Sequence, residues 1–230
     1  MTVLTTHVGS LPRPKNVSDL LFKRENNEVY EQEHFDEVIS NGVYEVVKKQ
    51  IDIGIDIISD GEMSKISYAT YVKDRYNGFA GDSERNPPLD LEKFPNYMKK
   101  ISDSGGTPTY SRPCCVSEIT SKHNNDLSND INNLLSASKK FEHKNIFMNS
   151  ASPGVISLFL SNSYYSSRNE YLDAISNAMK DEYEEIVNSG IKLQLDCPDL
   201  ALSRHMTFKK ESDEDFIKIA HQNMEILNYS

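Results

Sequence analysis

Short strand-like segments alternate with long helical patterns along this chain of 230 residues. The strand-like segments, each bounded by Gly, Pro, Asp or Ser, lie at about 3–8, 55–59, 114–117, 145–149 and 191–195. Between them, apolar residues recur about every 3.6 residues, as they do on the buried face of a helix. This alternation is typical of βαβ units, and it predicts an α/β fold with a parallel sheet and right-handed crossovers.

Two of the helical patterns have clear ends. One runs from about residue 31 to residue 52 and stops before Gly54, where a left-handed helix cap is expected. The other follows the capping sequence Ser167-Arg-Asn-Glu170 and stops before Gly190. Weaker helical patterns lie at about 129–141 and 213–227.

The spacing of the strands relates the chain to a larger architecture. The five strand starts give a repeat of about 47 residues, and eight such units would take about 370 residues, the size of a (β/α)₈ barrel. The chain therefore either forms an open five-stranded sheet or supplies the first five units of a longer barrel. Residues 1–230 are expected to form one domain, in which the segment at about 78–112 is a long βα loop.

Two of the predicted strands end in an aspartate. The segments Gly54-Ile-Asp-Ile-Ile-Ser-Asp60 and Gly190-Ile-Lys-Leu-Gln-Leu-Asp196 each run from a helix cap through a strand to an acidic residue. Parallel α/β folds bind ligands at the carboxyl ends of their strands, so both aspartates are candidate site residues. Alternatively, Asp60 begins a tight turn with Gly61, and Asp196 caps the next helix.

Charge and cysteine content exclude several functional classes. The 25 basic and 35 acidic residues give a net charge of −10, which disfavours binding to nucleic acid or to an anionic membrane surface. The three cysteines do not form a disulfide framework, which predicts a reducing, cytoplasmic location. The N-terminus carries no targeting pattern, and no run of about 18 apolar residues predicts a membrane span.

Three separated motifs resemble the catalytic domain of cobalamin-independent methionine synthase, and in particular the short family members that consist of that barrel alone. The motifs are Thr5-Thr-His-Val-Gly-Ser-Leu-Pro-Arg-Pro14, Asp60-Gly-Glu-Met-Ser-Lys65 and Leu193-Gln-Leu-Asp-Cys-Pro-Asp-Leu-Ala201. The resemblance implies a (β/α)₈ TIM barrel, of which this chain would hold the N-terminal five βα units without closing the barrel. It also implies transfer of a methyl group from a methylated folate to the zinc-bound thiolate of homocysteine, which forms methionine.

The resemblance further implies an amino-acid pocket. Val8, Gly9 and Ser10 would bind the substrate carboxylate through backbone N–H groups and the Ser10 hydroxyl, while Glu62 and Asp196 would hold the ammonium group. Acidic acceptors for an ammonium group and hydrogen-bond donors for a carboxylate are the groups that recognition of a free amino acid requires. Alternatively, Ser10 lies in a plain loop and Glu62 is an acidic residue in the first turn of a helix.

The zinc ligands of the family are not found in this sequence. In the family they begin with a His-x-Cys motif on the sixth strand, and no His-x-Cys occurs here. His7, His123, His205 and the adjacent Cys114 and Cys115 lack the paired spacing of a metal site. No metal site is therefore predicted in this chain, and the two cysteines are expected to lie in a buried strand.

The methyl donor and the activity of the isolated chain stay open at this stage. The chain has no Trp, whereas family members that use polyglutamylated folate have one after the fourth strand, so the donor is a folate or another methyl carrier. The first functional hypothesis is a 5-methyltetrahydropteroyltriglutamate–homocysteine S-methyltransferase-like enzyme that needs its missing zinc-binding half, from a longer gene or from a second chain. The alternatives are a zinc-dependent alkyltransferase for another thiol and a non-catalytic, C-terminally truncated remnant.

Overall fold

The computed structural model describes residues 3–83, 89–103 and 112–230. The helices are α1 (Lys15–Glu25), α2 (Gln32–Asp52), α3 (Val72–Arg75), α4 (Leu89–Glu92), α5 (Pro95–Asp103), α6 (Asp126–Lys140), α7 (Pro153–Phe159), α8 (Arg168–Asn188), α9 (Ser203–Met206) and α10 (Asp213–Tyr229). The strands are β1 (Tyr76–Ala80), β2 (Cys114–Ser121), β3 (Phe147–Ala151) and β4 (Lys192–Asp196). Among the described residues, no helix is long and apolar enough to cross a membrane.

The four helices expected from the sequence are present as α2, α6, α8 and α10, within a few residues of the expected ends. Gly54 and Gly190 adopt φ values of 81° and 78°, the left-handed conformation expected just beyond a helix end. At the start of α8, Ser167 Oγ accepts a hydrogen bond of 3.2 Å from the backbone N–H of Glu170. These predictions are confirmed because periodicity and end signals are local properties of the sequence.

The expected parallel pairing is present along a row of four segments. Thr6 and Ile57 form a parallel bridge, and Ile58 and Ile146 form another, so the segments at 3–8 and 55–59 pair through single bridges rather than regular ladders. Strand β3 pairs with β4, and the N–H of Lys192 donates to the carbonyl oxygen of Ile146 at 3.3 Å. The chain therefore has the expected α/β architecture.

The segment expected at 114–117 forms a strand, but it pairs in another sheet and not with the parallel segments above. Strand β2 pairs with β1 in a separate two-stranded sheet, and contacts between Asn77 and Thr120 and between Ser83 and Arg112 show that the two strands are antiparallel. Strand β1 overlaps the start of the segment expected to be a loop at 78–112, since residues 78–80 belong to the strand. Of that segment, residues 84–88 and 104–111 lie outside the described residues. The expected count of five βα units is not confirmed.

The chain divides into two compact units, each built from three stretches of sequence. The first unit comprises Met1–Arg75, Ser121–Ser150 and Lys180–Leu195. The second unit comprises Tyr76–Thr120, Ala151–Met179 and Asp196–Ser230.

The core of the first unit is formed by the apolar faces of α1, α2 and α6. Helix α2 packs against both α1 and α6. On α2, Phe35, Val38, Ile39, Val43 and Val47 are all at most 8% exposed, and they follow one another at intervals of three, one, four and four residues, as on one face of a helix. Burial of one such side chain contributes about 1.5–3 kcal/mol, so this face stabilises the first unit.

Candidate functional site

Glu62 lies in a tight turn that follows the segment at 55–59. Gly61 and Glu62 both have left-handed backbone conformations, with φ values of 63° and 56°, and the N–H of Glu62 donates to Asp60 Oδ1 at 3.0 Å. The interpretation of Asp60-Gly61 as a turn is therefore confirmed. Glu62 is not in a helix, so its alternative interpretation as a first-turn acid is wrong, because the two left-handed residues cannot continue a helix.

The left-handed backbone conformation of Glu62 is unusual for a residue other than glycine. A left-handed conformation costs a non-glycine residue about 1 kcal/mol or more and persists only where the surroundings fix it. The Glu62 side chain is only 1% exposed, and one of its carboxylate oxygens, Oε2, accepts a hydrogen bond from the Ser10 hydroxyl. The first unit thus holds a buried carboxylate against the segment at 8–10.

A glycine is required at position 9 because the backbone there lies close to the Glu62 carboxylate. A Cβ atom built on Gly9 would lie 2.7 Å from Glu62 Oε1 and 3.0 Å from Asn149 Nδ2, closer than side-chain atoms normally pack. Gly9 is buried, whereas the neighbouring Val8 and Ser10 are exposed. The structure therefore brings together four of the five predicted site residues, namely Val8, Gly9, Ser10 and Glu62.

Two side-chain amides that the sequence analysis missed bind the backbone of this segment. Asn149 Nδ2 donates to the carbonyl oxygen of Val8 at 2.8 Å, and Gln194 Nε2 donates to the same oxygen. Asn149 is the middle residue of β3 and Gln194 is the middle residue of β4. The sequence signal that could have identified Asn149 is its polar side chain within the apolar run of β3.

Two basic side chains fix the turn that carries Glu62. The Arg13 guanidinium donates to the carbonyl oxygens of Glu62 and Lys65 at 2.8 and 2.6 Å. Burial lowers the pKa of Arg13, although the negative charges of Glu62 and Asp60 act in the opposite direction. Lys65 is 3% exposed, and its ammonium group donates to the carbonyl oxygen of Asn149 at 2.6 Å.

A buried ionic network lies in the same unit. Arg75 pairs with Asp130 at 2.5 Å and with Glu182 at 2.7 Å, and all three side chains are at most 7% exposed. The Tyr71 hydroxyl donates to Glu182 at 2.5 Å. Burial acts to raise the pKa of Glu182, but the charges of Arg75 and Lys65 outweigh it, so the net pKa is lowered and the carboxylate stays ionised.

Asp196, the fifth predicted site residue, belongs to the second unit. It is the last residue of β4 and is partly buried, and its carbonyl oxygen accepts a hydrogen bond of 3.1 Å from the N–H of Ser152. Cys197, and not Asp196, occupies the N-cap position of the short helix that follows, and no side chain caps this helix, so the helix-capping interpretation of Asp196 is wrong.

The residues of the described part of the chain do not fit a zinc ion. Residues 3–83, 89–103 and 112–230 contain no group of three or more His, Cys, Asp or Glu side chains that could hold a metal. Cys114 and Cys115 lie in β2 as expected, with Cys115 buried and Cys114 partly buried. Burial raises the pKa of Cys115 to about 11, so its thiol is protonated at neutral pH.

The chain is similar to proteins named methionine synthase. Residues 3–86 match the family model described as "Cobalamin-independent synthase, Catalytic domain". Over 201 residues the chain is 27% identical to the methionine synthase of Sulfolobus acidocaldarius and 24% identical to that of Saccharolobus islandicus. These alignments cover 86% and 87% of this chain but only 52% and 54% of the relatives. The chain therefore spans about half the length of these curated relatives.

A third relative and two solved structures agree with this similarity. Over 75 residues the chain is 33% identical to a 5-methyltetrahydropteroyltriglutamate–homocysteine methyltransferase of Bifidobacterium longum subsp. infantis, which covers 33% of this chain and 10% of that protein. A B12-independent methionine synthase from Shewanella, solved in complex with selenomethionine, superposes with a TM-score of 0.63 at 19% identity, over 96% of this chain and 57% of that one.

The second solved structure is a putative vitamin-B12-independent methionine synthase from Listeria monocytogenes. It gives a TM-score of 0.62 at 16% identity, over 97% of this chain and 63% of that one. At these identities the two structures establish the fold. The predicted resemblance is confirmed as a similarity: residues 3–86 match the family model, and the chain is similar in sequence and fold to proteins named methionine synthase.

Proposed function

We propose that this chain supplies the amino-acid pocket of a methyltransferase of the cobalamin-independent methionine synthase type. In this proposal the substrate is homocysteine, and the transferred methyl group converts it to methionine. The observation that carries the proposal is the buried Glu62 carboxylate, held in a left-handed turn against Gly9 and Ser10. The Shewanella relative, which shares the fold, was solved with selenomethionine, an amino acid of the same shape as methionine.

The chemistry of the four residues suits an amino acid. Glu62 offers a carboxylate to the ligand ammonium, while the backbone N–H groups of Gly9 and Ser10 and the Ser10 hydroxyl offer donors to the ligand carboxylate. Since Glu62 is 1% exposed and is bound by Ser10, the ammonium must enter this hydrogen bond by sharing or replacing the Ser10 hydroxyl. We propose Asp196 as a second acceptor for the ammonium, on the basis of its motif alone.

Several finer features belong to the same proposal. The fold would be the N-terminal part of a (β/α)₈ barrel, with the rest supplied by further sequence or by a second chain. The methyl donor would be a methylated folate or another methyl carrier, and the location would be cytoplasmic. Zinc activates the substrate thiol in the family, but no step is assigned to it here because the described residues do not fit a zinc site.

The proposal is tested by calorimetric titration of the full chain with L-homocysteine, L-methionine and L-homoserine. We expect binding of the two sulfur amino acids and weaker binding of homoserine. In Glu62→Gln, the dissociation constant for L-methionine is expected to rise about tenfold or more, because a charge-assisted hydrogen bond contributes about 1.5–3 kcal/mol. Asp196→Asn is expected to weaken binding in the same direction.

The matched control is Glu142→Gln. Glu142 also has a left-handed conformation, with φ at 53°, but it is exposed and lies outside the proposed pocket. This variant therefore reproduces the chemical change and the backbone setting without touching the site, and we expect it to bind L-methionine as the unmodified chain does. Absence of binding by the unmodified chain, or equal affinities of Glu62→Gln and Glu142→Gln, would overturn the proposal.

A further inference from the structure

We propose that Asn149 is a positioning residue, which holds the peptide between Val8 and Gly9 in the orientation that binds the carboxylate of the ligand. This inference rests on the proposed function, because it concerns the same pocket. None of the three sequence motifs contains Asn149. Its side chain is 2% exposed and reaches the pocket segment from β3.

Two side-chain amides hold the Val8 carbonyl oxygen, and we call this pair of contacts the Val8 clamp. This oxygen accepts hydrogen bonds from two amides on paired strands, Asn149 Nδ2 at 2.8 Å and Gln194 Nε2. A carbonyl oxygen has two lone pairs, so the two donors use its full accepting capacity. The Val8 side chain itself is 81% exposed, so the carbonyl contacts, and not packing of the side chain, fix this point of the segment.

The planarity of the peptide bond extends this restraint from the Val8 carbonyl to the Gly9 N–H. In a trans peptide the C=O of one residue and the N–H of the next lie in one plane and point in opposite directions. The structure contains no cis peptide among the described residues, so the Gly9 N–H points away from the two amides that hold Val8. Fixing the Val8 carbonyl therefore fixes the direction of a donor that we assign to the ligand carboxylate.

Asn149 is itself held in place. The buried Lys65 ammonium donates to the Asn149 backbone oxygen at 2.6 Å and lies 4.3 Å from the centre of the Tyr71 ring. The same Asn149 Nδ2 atom would lie 3.0 Å from a Cβ on Gly9. Asn149 therefore has the fixed geometry that a positioning residue needs, and Lys65, the last residue of the second motif, has a role in keeping it so.

A merely structural role for Asn149 makes a different prediction. A residue that only stabilises the fold affects every ligand of the pocket alike. A residue that orients the carboxylate-binding peptide affects ligands that have a carboxylate and spares those that lack it. The pair of ligands that separates the two roles is L-methionine and 3-(methylthio)propylamine, which has the same thioether and ammonium groups but no carboxylate.

The test compares Asn149→Asp with Asn145→Asp, titrated with both ligands at pH 8. Asn149→Asp keeps the side-chain shape but replaces the Nδ2 donor with an oxygen, whereas Asn145 is exposed at the other end of the same strand region. In Asn149→Asp we expect the dissociation constant for L-methionine to rise about tenfold and that for the amine to change less than about twofold. Asn145→Asp is expected to leave both constants unchanged.

Gln194→Glu provides a second variant, should Asn149→Asp not fold. It removes the other donor to Val8 from a partly buried position, and the same carboxylate-selective loss is expected. An equal loss for both ligands, or no loss in either variant, would overturn the positioning role while leaving the proposed function intact. If the unmodified chain binds neither ligand, the proposed function fails first, and this inference fails with it.

Discussion

Replacement of Gly9 by alanine tests the geometry of the pocket most directly. The added Cβ would lie 2.7 Å from Glu62 Oε1, which is about 0.7 Å closer than the shortest ordinary van der Waals contact of 3.4 Å. It would also lie 3.0 Å from Asn149 Nδ2, so two neighbours have to move. Gly9 is not one of the described glycines that have a left-handed conformation, so an alanine at this position adds crowding without backbone strain.

The size of the effect follows from the crowding. Glu62 cannot easily withdraw, because its backbone is fixed in a left-handed turn and its other carboxylate oxygen is bound to Ser10. Overpacking of this kind costs about 1–3 kcal/mol. If the cost is relieved by displacement of the segment at 8–10, it corresponds to a loss of about 5- to 150-fold in affinity.

The assay is calorimetric titration with L-methionine, together with urea unfolding of the same samples. Gly9→Ala is expected to raise the dissociation constant at least about fivefold. The control is Gly54→Ala, since Gly54 has φ at 81° with no atom within 4 Å of the added Cβ. It is expected to lower the free energy of unfolding by about 1 kcal/mol and to leave the dissociation constant unchanged. Equal affinities of Gly9→Ala and the unmodified chain would refute the reasoning.

Two further predictions concern stability. Arg75→Met is expected to lower the free energy of unfolding by about 3–5 kcal/mol in urea, because it leaves the buried carboxyl groups of Asp130 and Glu182 without their cation. The control is Lys218→Met, at an exposed ion pair, which should leave the midpoint unchanged. A loss as small as that of the control would contradict the role of Arg75. Burial raises the pKa of Tyr71 and Tyr171 above the ordinary value near 10. The stability that their neutral hydroxyls contribute is therefore present below about pH 10 and is lost as the pH rises further. The loss amounts to at most about 1.4 kcal/mol per pH unit for each tyrosine. Urea unfolding between pH 8 and pH 11 measures this slope, and Tyr171→Phe should make it shallower; an unchanged slope would show that Tyr171 is not the group responsible.

The elements that could be predicted from the sequence are those with local signals. Helices α2 and α8 follow from apolar periodicity and from the glycines at 54 and 190, all of which act within a few residues of the chain. The pairing of β2 could not be predicted in the same way, because its partner β1 is a short strand that runs into the loop-like stretch of mixed charge at 78–112. Strand pairing depends on contacts between distant residues, which periodicity does not report.

The residues of the candidate site differ in the same way, since some have a local sequence signal and others do not. Glu62 and Ser10 were predicted because they lie in recognisable motifs, and their contact agrees with that prediction. Asn149 and Gln194 were missed because each lies within a strand and acts through a hydrogen bond to Val8, far away in the sequence. The polar side chain of Asn149 within an apolar strand is visible in the sequence, but its partner is not. The partners of such side chains become known only when the strands are paired.

The division of the first unit into three stretches has a consequence for biosynthesis. A chain leaves the ribosome from its N-terminus, and domains fold as units once their residues are available. The first unit needs Lys180–Leu195, which carries Glu182 for the Arg75 network and Gln194 for the Val8 clamp. Much of the second unit is therefore synthesised before the first unit can be completed, and a nascent chain that stalls before Lys180 lacks Ile186 and Ile191, two residues of the apolar core to which α2 and α6 contribute.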